Sequence, residues 1–261
     1  MSAPAPTTPV IDFDNVRHVF GTNVAVERLN LTINHGERLA ILGRTGAGKS
    51  TLLNLLIGNL QPTEGEVRIS GLNPFVDHDK LQGKIGMAFQ TPRLMPWRTA
   101  LDNVAVGQEI LGVNKKEREA NAAQWLDKMH LGDSLNKFPG ELSGGMRQRV
   151  SLARAFAVQP AFVLLDESFS ALDEVTAKTL RQDFIELADE EQITSLIVTH
   201  NIEEAFEIAH RVVLLGRPAK ILQEYRAADS PEVGSVEFAV LRAQIRELML
   251  SPEGGISARG G

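Results

Sequence analysis

Apolar and polar residues alternate near the start of the chain. Val16, His18 and Phe20 alternate with Arg17 and Val19, then Leu29, Leu31 and Ile33 with Asn30 and Thr32, predicting two strands. Asn34-His35-Gly36-Glu37 carries turn chemistry, and Arg38–Leu42 is a short apolar strand with Gly43 behind it. Lys49–Leu60 reads as a helix with Leu52, Leu53, Leu55, Leu56 and Ile57 on one broad stripe and Gly58 near its end. Val67 and Ile69 alternate again before Gly71, and Lys84–Phe89 is a further strand. From about 91 to 160 the texture changes to helices at Asp102–Leu111, Lys115–Met129 and Gly144–Val158. After Pro160 the order is strand Ala161–Leu165, helix Glu174–Glu190, strand Ile193–Thr199, helix Ile202–Ala209 and strand Arg211–Leu215. Such alternation implies an α/β fold with a largely parallel sheet flanked by helices. The expected organisation is a core over 10–90 and 161–225, a helical insert over 91–160, and a C-terminal portion over 226–261. In that last portion Phe238, Leu241, Ile245 and Leu248 fall at helical spacing, and Glu253–Gly261 reads as a frayed end. Residues 1–9, with Pro4, Pro6 and Pro9, read as a disordered leader.

Composition narrows the chemistry. The 261 residues include no cysteine, which removes a disulfide framework, a thiolate metal site and a cysteine nucleophile together. A net charge of −6 argues against a protein whose affinity rests on neutralising nucleic-acid phosphates. No stretch approaches the roughly 18 apolar residues that a membrane-spanning helix needs, and the leader lacks the basic start and apolar centre of a signal peptide. These features read as a soluble, intracellular, globular chain.

Gly43-Arg44-Thr45-Gly46-Ala47-Gly48-Lys49-Ser50 fits G-x-x-x-x-G-K-[ST]. The glycines let the loop fold so that consecutive backbone N–H groups point inward around phosphate oxygens. The helix starting near Lys49 adds its unsatisfied N–H groups and positive dipole end. Lys49 then reaches the β- and γ-phosphates, Ser50 ligates Mg²⁺ and Thr51 donates near the α-phosphate. By composition alone the four fixed positions arise in roughly one chain per hundred. Here they also sit between an apolar strand and an apolar-faced helix, where the chemistry requires them.

Phe162-Val163-Leu164-Leu165-Asp166-Glu167 is an apolar strand ending in two carboxylates, at the edge where ligands bind in a parallel sheet. Asp166 suits a Mg²⁺ held through water, and Glu167 suits a group that orients or deprotonates an attacking water. His200 closes the strand Ile193–Thr199 and emerges at the same edge, where a polar residue can contact a γ-phosphate. Leu142-Ser143-Gly144-Gly145-Met146 precedes a further helix with Ser143 as its cap, giving a second anion-binding end.

In this order and at these spacings the motifs together resemble the ATP-binding-cassette ATPases over about residues 10–225. The resemblance implies a P-loop NTPase core, a mainly parallel sheet with helices plus an N-terminal antiparallel β subdomain, interrupted by an inserted α-helical subdomain. It matches Phe20 to the aromatic stacking on adenine, Gly43–Ser50 to Walker A, and Gln90 to the glutamine that ligates Mg²⁺ and senses the membrane partner. It matches Ser143, Gly144, Gly145 and Met146 to the signature motif, Asp166 and Glu167 to Walker B and the catalytic glutamate, Asp173 to the D-loop and His200 to the switch histidine. ATP and Mg²⁺ are the implied ligands. Two copies are implied to close head to tail on two ATP molecules, the signature helix of one meeting the γ-phosphate held by the other.

The stretch from Gln90 to Val104, with Trp97 inside it, resembles importers for nitrate, alkanesulfonate and taurine. Two separate transmembrane permease subunits docking near Gln90–Trp97 follow from that likeness, as do an extracytoplasmic solute-binding protein and a peripheral place on the cytoplasmic face of the inner membrane. Trp97 reads equally as a partly buried aromatic of the helical insert. The chain departs from most relatives at Ser168, where Pro is common, at Ser170, where Gly is common, and at Asn201, where Asp is common. The reading is an importer ATPase; a cassette serving an exporter or lipid transporter, and a soluble repair or translation cassette, are the alternatives. Long coiled coils separate the two ATPase halves in repair types, whereas Lys49 and Ser143 are 143 − 49 = 94 positions apart with no heptads between them.

Overall fold

The structure, a computed structural model, describes residues 9–251. The expected leader up to residue 8 and the frayed end over Glu253–Gly261 lie outside the described residues. In chain order the elements begin with strands β1 (Ile11–Phe20), β2 (Asn23–Ile33) and β3 (Arg38–Leu42), helix α1 (Lys49–Leu56) and strand β4 (Glu64–Ile69). Then come β5 (Ile85–Phe89), α2 (Ala100–Ile110), α3 (Lys115–Lys128), α4 (Gly144–Ala157), β6 (Phe162–Asp166) and α5 (Glu174–Glu190). The chain finishes with β7 (Ser195–Thr199), α6 (Ile202–Ile208), β8 (Arg211–Leu215), β9 (Ile221–Arg226) and α7 (Val236–Leu250). It forms two compact units, one from the segments up to Lys80 and from Val198 onward, the other from Leu81–Ile197.

In the first unit β1 is the centre of an antiparallel sheet in the order β2-β1-β4. Ile11 faces Ile33 on one side and Ile69 on the other, and Phe13 faces Leu31 and Val67. All six are buried, so the period-two pattern turns one apolar row into the core. Strand β3 is buried at every position and pairs in parallel with β8, Ala40 beside Val212 and Leu42 beside Leu214. Strand β9 pairs antiparallel on the far side of β8 and was absent from the expected elements. Its pattern is half-buried and exposed, as at a sheet edge, so it carries no clean alternation to read. Helix α1 ends at Leu56 rather than Leu60. Gly58 takes φ +78, and the N–H groups of Asn59 and Leu60 both turn back to the Asn54 carbonyl, which closes the helix.

In the second unit β5 and β6 pair in parallel, Ile85 beside Phe162 and Phe89 beside Asp166, with β7 beyond β6. Helices α2, α3 and α4 supply the helix-rich stretch. The aromatic core runs from Trp125 to Phe156, Phe184 and Phe169, with ring centroids 5.3, 6.1 and 6.1 Å apart along the chain of contacts.

Ahead of α2, Asn103 fixes the turn that carries Trp97. Its side chain is fully buried; Oδ1 accepts from the Met95 N–H at 2.8 Å, and Nδ2 donates to the carbonyls of Met95, Arg98 and Thr99 at 2.9–3.1 Å. Trp97 projects from this turn, 73% exposed. Asn103→Ala removes the acceptor of the Met95 N–H and the side-chain donor to the Arg98 carbonyl, while the Met95 and Thr99 carbonyls keep backbone donors from Arg98 and Asn103. It should lower unfolding free energy by about 1–3 kcal/mol in urea denaturation; an unchanged midpoint would show that the turn holds without the amide.

Candidate functional site

The glycine-rich loop between β3 and α1 lies in the first unit. Gly46 and Gly48 have φ +82 and +86, conformations that a side chain would strain. Gly48 is also pressed from outside: a Cβ there would stand 2.7 Å from the Ala25 carbonyl oxygen and 2.8 Å from the Ala219 methyl. Position 48 is therefore restricted to glycine by both dihedral and space.

Gly48 is also the N-cap of α1, which has no side-chain cap and no acidic residue in its first turn. The first N–H groups of a helix have no partner within it, and the dipole end is positive. Most helices answer with a Ser, Asp or Asn cap; this one leaves the position to something else. Lys49 is buried, its ammonium donating to the carbonyls of Gly43 at 2.5 Å and Arg44 at 3.2 Å. A buried cation beside the unsatisfied N–H groups of a helix start is a seat for phosphate oxygens.

Phe20 closes β1 in the same unit, 48% exposed, just before the turn at Gly21. Its ring and that of the buried His18 are T-shaped, with centroids 4.5 Å apart, and the exposed part of Phe20 is open to a flat ligand. His200 is exposed and directly follows β7. Asn201 beside it caps α6, its Oδ1 accepting from the Glu204 N–H at 3.2 Å. An Asn in place of the usual Asp therefore keeps the cap.

The remaining expected residues lie in the second unit. The register of β5 with β6 sets Phe89 beside Asp166, so Gln90 and Glu167 are the residues that directly follow the ends of these paired strands. Asp166 and Glu167 are half-buried and Gln90 is exposed. Glu167 has φ +49, an uncommon conformation for a residue with a side chain. The residue that follows ties it down: the buried Ser168 hydroxyl donates to the Ala88 carbonyl on β5 at 2.8 Å, and the Ser170 N–H returns to the Glu167 carbonyl at 3.1 Å. Proline at 168 could not make that bond.

Ser143 caps α4, its Oγ accepting from the Met146 N–H at 3.2 Å, and no acidic residue stands in the first turn. Ser143 and Gly144 are exposed, while Gly145 is buried. A Cβ on Gly145 would meet the Thr176 methyl at 2.7 Å, and one on Gly144 would lie 3.7 Å from the Leu172 side chain. The glycines thus seat this helix start against α5. Asp173 caps α5 by accepting from the Thr176 N–H at 3.0 Å, and that bond holds its carboxyl below the usual range. The second glycine motif and Asp173 are thereby brought together.

Two residues that sequence reasoning missed hold the segment around Gln90. Gln148 Nε2 donates to the Phe89 carbonyl at 3.0 Å, and Arg154 donates to the carbonyls of Pro92 and Arg93 at 2.7 and 3.0 Å. Both project from α4, so the helix that begins at Ser143 also grips both sides of Gln90. Burial lowers the Arg154 guanidinium below its ordinary value. Nothing in the local pattern marks either residue, because their partners lie about sixty positions away.

Gln90 and Asp166 in the second unit each offer an oxygen donor to a metal, as does Ser50 in the first. Among the described residues no group of three or more His, Asp or Glu side chains is placed to hold a metal ion. That donor chemistry fits a hard cation such as Mg²⁺, which keeps much of its water and takes further oxygens from phosphates.

The chain is similar to known proteins. The family model for ABC transporters matches residues 26–170. The bicarbonate transport ATP-binding protein CmpD of Synechocystis is 38% identical over 216 residues, covering 80% of this chain and 75% of that protein. The aliphatic sulfonates import ATP-binding protein SsuB of Corynebacterium glutamicum is 40% identical over 215 residues, covering 82% and 84%. The ATP-binding cassette MJ0796, solved as a dimer in a post-hydrolysis state with ADP and Pi, aligns with a TM-score of 0.71 at 33% identity. That alignment covers 83% of this chain and 98% of MJ0796. The chain belongs to the ABC transporter family, as one of its ATP-hydrolysing ATP-binding subunits.

Proposed function

We propose that this subunit powers a small-solute importer of the nitrate, sulfonate and taurine type. The likeness to SsuB over 84% of that protein supports this branch, as does the Gln90–Val104 stretch with its buried Asn103 and exposed Trp97. The observation that carries the mechanism is the uncapped, glycine-started helix α1 with Lys49 turned into its loop.

In this reading the loop Gly43–Ser50, with Arg44, Thr45, Gly46, Ala47 and Gly48, surrounds the phosphates of ATP. Lys49 balances the β- and γ-phosphates, Thr51 donates near the α-phosphate and Phe20 stacks on the adenine. Ser50, Gln90 and Asp166 would hold Mg²⁺, which would offset phosphate charge. Glu167 orients the attacking water and takes its proton, and His200 contacts the γ-phosphate. Ser143, Gly144, Gly145 and Met146 of a second copy complete each site, with Asp173 beside them.

Attachment to the membrane rests on partners. Among the described residues no helix is long and apolar enough to cross a membrane. In this reading two permease subunits carry the transport path, docking near Gln90–Trp97 from the membrane side, with the ATPase on the cytoplasmic face and a solute-binding protein acting on the far side.

Glu167→Gln keeps the shape of the side chain and removes its basicity. Turnover should fall by about 10²–10⁴-fold, while ATP affinity holds and ATP-bound dimers accumulate in size-exclusion chromatography. Wild-type turnover in this variant would remove Glu167 from the mechanism.

A further inference from the structure

The loop between β8 and β9, Gly216-Arg217-Pro218-Ala219-Lys220, is fastened to the phosphate loop. Ala219 is fully buried; its N–H donates to the Ala25 carbonyl at 2.9 Å and its carbonyl accepts from the Glu27 N–H at 2.9 Å. Its methyl occupies the space beside Gly48 described above. The Gly216 N–H donates to the Lys220 carbonyl at 2.9 Å and closes the turn. The loop thus has one fixed position relative to β2 and the start of α1.

Two residues before this anchor, Arg217 is exposed, and its guanidinium lies directly against the phosphate loop. Nη1 and Cζ are 3.5 and 3.7 Å from where a Cβ on Gly46 would stand. Arg44, on the phosphate loop itself, is also exposed. Among the described residues neither arginine forms an ion pair with a carboxylate. Three cations, Arg44, Lys49 and Arg217, are therefore gathered around one short loop, and no acidic side chain is paired with either arginine. Like charges so placed repel, and the arrangement is favourable once an anion joins it.

We propose that Arg217 is a further nucleotide-binding residue, donating from the β8–β9 loop to the phosphates of bound ATP or ADP. A guanidinium suits the role: it stays charged at any relevant pH and presents several donors in a planar fork that matches phosphate oxygens. The Ala219 anchor limits the reach of the arm, so little freedom is lost when the contact forms. The nucleotide is then held from two sides, by the amides and Lys49 of its own loop and by a cation delivered from a separate turn. Arg217 acts in binding and takes no part in proton transfer. The inference rests on the reading of Gly43–Ser50 as the nucleotide loop.

The test measures ATP and ADP binding to the full chain by isothermal titration calorimetry at two salt concentrations. The proteins are wild type, Arg217→Gln, Arg217→Lys and Lys49→Ala, each with its thermal midpoint in the absence of nucleotide. Arg217→Gln should weaken both nucleotides by about tenfold and flatten the salt dependence of affinity, without lowering the nucleotide-free midpoint. Arg217→Lys should recover most of the loss. Wild-type affinity and salt dependence in Arg217→Gln, with binding lost in Lys49→Ala, would overturn the role of Arg217 alone. Wild-type affinity in Lys49→Ala would instead overturn the reading of the loop itself.

Discussion

A helix start leaves backbone N–H groups for a side chain, water or an anion to satisfy, and α1 and α4 meet this need differently. Helix α1 begins at Gly48 with no side-chain acceptor at all. Helix α4 has the Ser143 hydroxyl for one N–H and two glycines after it, which keep the end uncovered. Neither carries the acidic first-turn residue seen in α2, α3 and α5, where Asp102, Glu117 and Glu174 meet the dipole. Both glycine-started ends are thus left positive, and the surrounding residues are arranged to keep them so. Ala25 and Ala219 exclude a side chain at position 48, and Thr176 excludes one at position 145.

A second constraint acts around Glu167. Its left-handed backbone conformation has a cost of order 1 kcal/mol, which the neighbouring structure must offset. The bond from Ser168 to Ala88 does so while tying the end of β6 to β5, the strand that leads into Gln90. Gln148 and Arg154 then bind that same lead from α4. The helix start at Ser143, the segment around Gln90 and the carboxylates of β6 are therefore mechanically joined within one unit.

The features that backbone geometry dictates were readable in advance. Glycine spacing in the phosphate loop follows from φ values that only glycine adopts cheaply, and the strand positions follow from burial with period two, so Gly43–Ser50, β3 and β6 were placed closely. Features set by tertiary contact were not readable. The partner of Ser168 is 80 positions away, and the anchoring of the Arg217 loop depends on β2, almost at the other end of the chain. Strand β9 escaped because an edge strand with one half-buried face lacks alternation, and the end of α1 was overrun because its apolar stripe continues past the point where Gly58 breaks the helix. The Ser168 departure was visible as a departure, but its consequence needed the position of Ala88.

The central claim is that the two anion-binding helix ends serve one nucleotide in trans, α1 of one copy and α4 of the other. Mixing two inactive variants tests it most directly. Lys49→Ala disables the phosphate loop and leaves the Ser143 end intact; Ser143→Arg blocks the Ser143 end and leaves the loop intact. In a mixed dimer one site combines both defects and the other combines two intact halves. Each variant alone should be inactive, and an equimolar mixture should recover ATP hydrolysis up to about a quarter of wild type, since half the dimers are mixed and each has one sound site. A mixture as inactive as its components, with mixed dimers present, would contradict the account.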